Sequence, residues 1–188
     1  SKDHLTLTGT AMNEIEFVAL LKDPKHRNHL FIFYHVRAML YAVFAEHELG
    51  AQHAIENSAS FFKLFPGYPG LPSVTFYFGI SLFSTAKTSK RRVYVSKAKE
   101  MLKRTKIYVK NGNPNAGHYL LGLEAELLSW KNECNEATHK FEAAIAIAAQ
   151  SGLIHDAAIM NERYGLFWLN KVKDKEKASF YLDKAFRL

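Results

Sequence analysis

Several features are scarce in this chain, and each scarcity excludes something. Cysteine occurs once, as Cys134, so no disulfide can close within the 188 residues, and the reading is of a reducing, cytoplasmic setting. Alternating strand patterns are nearly absent. The opening SKDHLTLTGT has no apolar segment of the secretory kind. The longest apolar run, Leu71 to Phe83, is about two-thirds of the roughly twenty residues a membrane span needs, and Pro72, Ser73, Thr75 and Ser81 interrupt it. It reads as a buried helix. An initiator Met is missing, and the pattern runs unbroken to Ala185-Phe186-Arg187-Leu188, so the expectation is a piece of a longer protein.

What remains is helical. After a lead-in at 1–10, helix-period patterns recur through a single domain at 11–188, in pairs at about 11–65, 72–110, 115–150 and 153–188. A short helix is expected from Ala11 to Lys22, stopped by Asp23-Pro24, and a long one from His26 to Glu48, closed by Gly50. FPGYPGLP (Phe65 to Pro72) and Asn111-Gly112-Asn113-Pro114 are the firm breaks. Asn132 and Asp174 are expected to start helices by accepting from free amides, and Ser151-Gly152 to stop one.

The second helices of the last two pairs share a signature. Ala137-x6-Ala144 brackets Phe141, and Ala178-x6-Ala185 brackets Leu182, 41 residues further on. Seven residues is nearly two helical turns, so both alanines face one way and admit a neighbouring helix. Ala54 and Ala98 hold the matching place in the earlier pairs, with Phe61 and Thr105 where the second alanine would be. The expected fold is therefore all-α, a tetratricopeptide-like solenoid of about four antiparallel helical hairpins.

The last two units resemble tetratricopeptide repeats. Read together, HYLLGLEAEL (His118 to Leu127), FEAAIAIA (Phe141 to Ala148), AAIMNERYGLFWL (Ala157 to Leu169) and ASFYLDKAF (Ala178 to Phe186) resemble the helical-repeat region of large multidomain signalling proteins. Those proteins join a serine/threonine kinase domain, an AAA or STAND-type ATPase and a sensor histidine kinase. Met160 stands where they usually carry alanine. The resemblance implies a non-catalytic scaffold for protein or interdomain contacts, and it assigns none of the parent activities to these residues.

Motifs for chemistry are thin. Gly117-x4-Gly122 lacks the lysine of a phosphate loop and lies within a helical pattern. Cys134 sits between Glu133 and Glu136, where negative charge disfavours a thiolate. His26, His29 and His35 share a helical spacing but lack the further ligands a metal site needs. Glu124 and Glu126, two apart, face different ways, and Glu162 beside Arg163 suggests a helix-to-helix polar contact. No catalytic, cofactor or metal residue is assigned.

One stretch is strongly biased. Lys87 to Lys110 carries ten Lys or Arg against the single Glu100, more than the whole net charge of +7. Val95, Ala98, Leu102, Thr105 and Val109 keep a buried stripe, which puts the charges outside. Lys90, Arg91, Arg92, Lys97, Lys103 and Arg104 are the candidate partner-binding residues, for an acidic protein or a neighbouring domain. Alternatives are a solvated face, a basic module for nucleic acid, or a cryptic hydrolase assembled from distant positions. Nucleic acid ranks below protein, because the aromatics look committed to the core.

Overall fold

The structure is a computed structural model describing residues 5–6, 8–10, 13–21, 23–89 and 91–188. Among them the chain is all-helical. Its helices are α1 (Glu14–Leu21), α2 (Arg27–Val43), α3 (His47–Leu64), α4 (Leu71–Thr88), α5 (Arg92–Lys110), α6 (Gly117–Lys131), α7 (Cys134–Gln150), α8 (Ile154–Phe167) and α9 (Lys175–Arg187). A 3-10 turn, Pro24–His26, leads into α2, and a π-helical turn, Trp168–Val172, prolongs α8. The described residues contain no strand, only an isolated bridge between Thr8 and Asn13. No helix of the described residues is long and apolar enough to cross a membrane.

Successive helices pack on one another from α2 to α9, the α3–α4 and α7–α8 contacts as well as α2–α3, α4–α5, α6–α7 and α8–α9, and α4 also meets α2 and α6. That central place explains the composition of α4. Fourteen of its residues are buried, spread over every face, as a helix apolar all round requires. Ala54, Ala98, Ala137, Ala144 and Ala178 are all at most 1% exposed, and so is Phe141, stacked on Tyr164 at 5.2 Å. Leu182 and Ala185, nearer the end of the chain, are only half-buried. Met160 fits because Gly122 faces it: a Cβ there would lie 2.8 Å from its Sδ.

Several boundaries differ from expectation. Helix α1 is capped by Asn13, whose Oδ1 accepts from the Ile15 amide at 3.0 Å; Ala11, Met12 and Lys22 lie outside the described residues. The long second helix ends at Val43 and not at Glu48. The chain turns through Ala45, a non-glycine residue at φ 57°, and restarts at His47. Gly50 is therefore inside α3. It serves close approach, since a Cβ there would meet Ser81 Oγ at 2.5 Å and Tyr41 Cβ at 3.0 Å. Asn132 closes α6 in the left-handed region (φ 70°) instead of opening α7. Asp174 caps α9 as expected, accepting from the Lys177 amide at 3.0 Å, and Gly152 (φ 69°) follows the end of α7.

Candidate functional site

The basic stretch divides on folding. Tyr94, Ala98, Met101, Leu102 and Thr105 are buried, so α5 has an inward stripe that shares Ala98, Leu102 and Thr105 with the expected one, while Val95 and Val109 are only half-buried. Of the candidate residues, Lys97 and Arg104 both pair with Glu100, at 3.0 and 3.3 Å, and the Arg104 guanidinium lies 4.1 Å from the Phe62 ring centroid. Arg91, 5.6 Å from the Tyr94 ring, Arg92 and Lys103 are exposed and have no acidic partner among the described residues. Lys90 lies outside the described residues. Arg91 and Arg92 also sit at the N-terminal end of α5, where the helix dipole repels cations.

Lys87 is exposed, but its ammonium is not free: it reaches from the end of α4 to Glu126 of α6, with Nζ 2.7 Å from Oε2. The other carboxylate oxygen accepts from Arg163 Nε at 2.7 Å, across from α8. Arg163 goes further: one terminal nitrogen donates to Ser84 Oγ at 2.7 Å and the other to His47 Nε2 at 3.2 Å. Guanidinium is donor-only, so His47 accepts through Nε2 and carries its proton on Nδ1. Glu126 and Arg163 are 2% and 8% exposed. Burial by itself would raise the Glu126 carboxyl, but Arg163, Lys87 and their hydrogen bonds outweigh it and hold it down at about 2. Burial, and then Arg163, lowers His47 to about 4, so it is neutral at pH 7.

This cluster opens on a cavity of about 530 Å³ between the end of α4, the start of α3, α6, α8 and the π-helical turn. Lys87, Arg163 and Lys171 line it together with Ser84 and Ser129. Glu124, two residues from Glu126, faces the other way and pairs with Lys140 at 2.7 Å and Lys106 at 3.2 Å. The helix-to-helix contact expected around Glu162 and Arg163 is made by Arg163; Glu162 lines a separate groove with Val43, Ile159 and Ala185.

A second buried group ties α6 to α8. Asp156 accepts from Tyr119 at 3.0 Å and pairs with His118 Nε2 at 3.0 Å. Burial and then Asp156 push the Tyr119 phenol well above its usual range, so it remains a donor. Both partners are committed to one carboxylate. His26 and His29 have rings 5.7 Å apart, and His35 bonds Ser73 Oγ at 3.0 Å. No group of three or more His, Cys, Asp or Glu among the described residues could hold a metal ion.

Sequence reasoning saw Glu126 and Arg163 as structural polar residues but missed their convergence with Lys87, His47, Ser84 and Ser129. The partners are 37 to 116 residues apart, beyond any local period. The signal present was compositional: Glu126 and Arg163 interrupt otherwise apolar packing stripes. Compared with protein-family models, curated proteins and solved structures, the chain matches none.

Proposed function

We propose that this chain is a non-catalytic helical-repeat scaffold, a tetratricopeptide-like solenoid of about four antiparallel hairpins, in a cytoplasmic multidomain signalling protein. Its partner is an acidic protein surface or a neighbouring domain of the same chain, received along the exposed cations of α5. The observation that carries the repeat reading is the set of four equivalent alanines, Ala54, Ala98, Ala137 and Ala178, each at most 1% exposed at a helix contact. Arg91, Arg92 and Lys103 carry the partner reading, because they hold positive charge outward without an acidic counterpart among the described residues. The resemblance of the His118 to Phe186 segments to the repeats of kinase–ATPase–histidine kinase hybrids supports the signalling context.

The test compares the chain with R91E/R92E/K103E in nuclease-treated pull-downs near physiological salt, with melting temperatures measured in parallel. A protein or neighbouring domain held by the chain and lost by the equally stable variant supports the reading. Equal capture by both removes the basic face from it. Salt-steep binding to generic DNA or RNA would replace it with a nucleic-acid module.

A further inference from the structure

We propose that the cavity lined by Lys87, Arg163 and Lys171 is a binding site for a small phosphate-bearing ligand, separate from the partner face on α5. The charge count comes first. Three cations line the cavity and no acidic residue does. Glu126 is not part of the wall; at 2% exposure it lies behind Arg163 and Lys87 and holds both by a carboxylate oxygen each. Allowing for Glu126, three positive charges against one negative leave an excess of two, which a phosphate dianion matches. Glu46, just before α3, and Glu48 in its first turn line an adjoining cleft that shares His47, Ser84 and Thr88 with the cavity.

Hydrogen-bonding capacity is the second argument. Ser129, 1% exposed, lines the cavity with a hydroxyl that has no partner among the described residues, and His47 Nδ1 is buried in the same condition. A buried donor left unmade is costly, and an anion's oxygens would satisfy both. Lys87 and the terminal nitrogens of Arg163 keep hydrogens beyond those already bonded. Donors in quantity with no carboxylate among the lining residues describe an oxyanion receptor.

The third argument is the backbone. The π-helical turn Trp168–Val172 places Asn170 and Lys171 on the cavity wall, and such wide turns are frequent at functional sites. Leu166 and Phe167 supply an apolar side. A space of about 530 Å³ exceeds a bare phosphate and suits a small phosphate ester with an organic body.

The experiment is calorimetric titration of the full chain at low salt with inorganic phosphate, glycerol phosphate and a nucleoside monophosphate, glycerol serving as the uncharged control. The expected result is saturable binding of an ester, tighter than inorganic phosphate. Lys171→Met should weaken it roughly tenfold or more and Ser129→Ala several-fold, with melting temperatures unchanged. Neither variant touches the Glu126–Arg163 bond, so folding is preserved. Equal binding of phosphate and ester would keep the anion site and make free phosphate its ligand. No saturable binding at millimolar anion, or binding that both variants leave intact, would overturn the proposal. The scaffold reading stands apart from either result, because its test uses other residues.

Discussion

Replacing Glu126 by Gln isolates the energetics of the buried charge cluster. The side chain keeps its size but loses its charge, and Arg163, 8% exposed, is left facing Lys87 with no anion between them. Removing one partner of a buried pair costs about 3–5 kcal/mol, because the remaining charge stays desolvated. The carboxyl itself gives a second figure. Held at about 2 against an ordinary 4.5, it contributes about 3 kcal/mol at pH 7. The sign follows from the depressed pKa: this stability is present above pH 4.5 and is lost as pH falls through about 2. For a chain of this size, about 3–5 kcal/mol corresponds to a drop in melting temperature of roughly 6–20 °C. Urea and thermal melts followed by circular dichroism would measure it. The gap between E126Q and wild type should narrow as pH falls below 4.5. E126Q/R163M, which removes both charges of the pair, should cost less than the sum of E126Q and R163M. A loss below about 1 kcal/mol for E126Q, or strict additivity in the double variant, would refute the view of a coupled buried pair.

Ala144→Trp overpacks a contact with no exposed surface and should cost about 1–3 kcal/mol or more, whereas Ala185→Trp, at a half-buried position, should cost less; equal losses in chemical denaturation would contradict the assigned helix contacts. Asp156→Asn weakens the acceptor for His118 and Tyr119 and should cost about 1–3 kcal/mol, read in the same melts. Burial holds the Tyr77 and Tyr119 phenols above the usual 10, so their share of stability is intact below pH 10 and is lost as pH rises above it. Ultraviolet titration should show both still protonated when exposed tyrosines ionise. R91E/R92E/K103E should leave stability within about 0.5 kcal/mol of wild type, since all three side chains are exposed.

The helices were legible because their signals are local. The seven-residue spacing of Ala137 and Ala144 states which face packs, and FPGYPGLP states where a helix must stop. Two local signals misled for physical reasons. Gly50 looks like a terminator, yet its missing side chain serves contact with Ser81 and Tyr41 on other helices. Asn132 suits a helix start, but it also tolerates the left-handed conformation that closes one. Composition counts charge without partners: Lys87, Arg91 and Arg92 are all exposed, yet Lys87 is bonded to a carboxylate 39 positions away.

The charge cluster also bears on how the helices are held in relation to each other. Arg163, from α8, reaches His47 at the start of α3, Ser84 in α4 and Glu126 in α6. A single guanidinium thus ties four helices together. Hydrogen bonds of 2.7–3.2 Å to three separate helices tolerate little displacement, so Arg163 adds to the close core contacts in fixing how these helices sit together. An anion bound at Lys87 and Lys171 would act on that same node. By reciprocity, any partner that shifts the pairs would change affinity for the anion, and the anion would change affinity for the partner by the same factor.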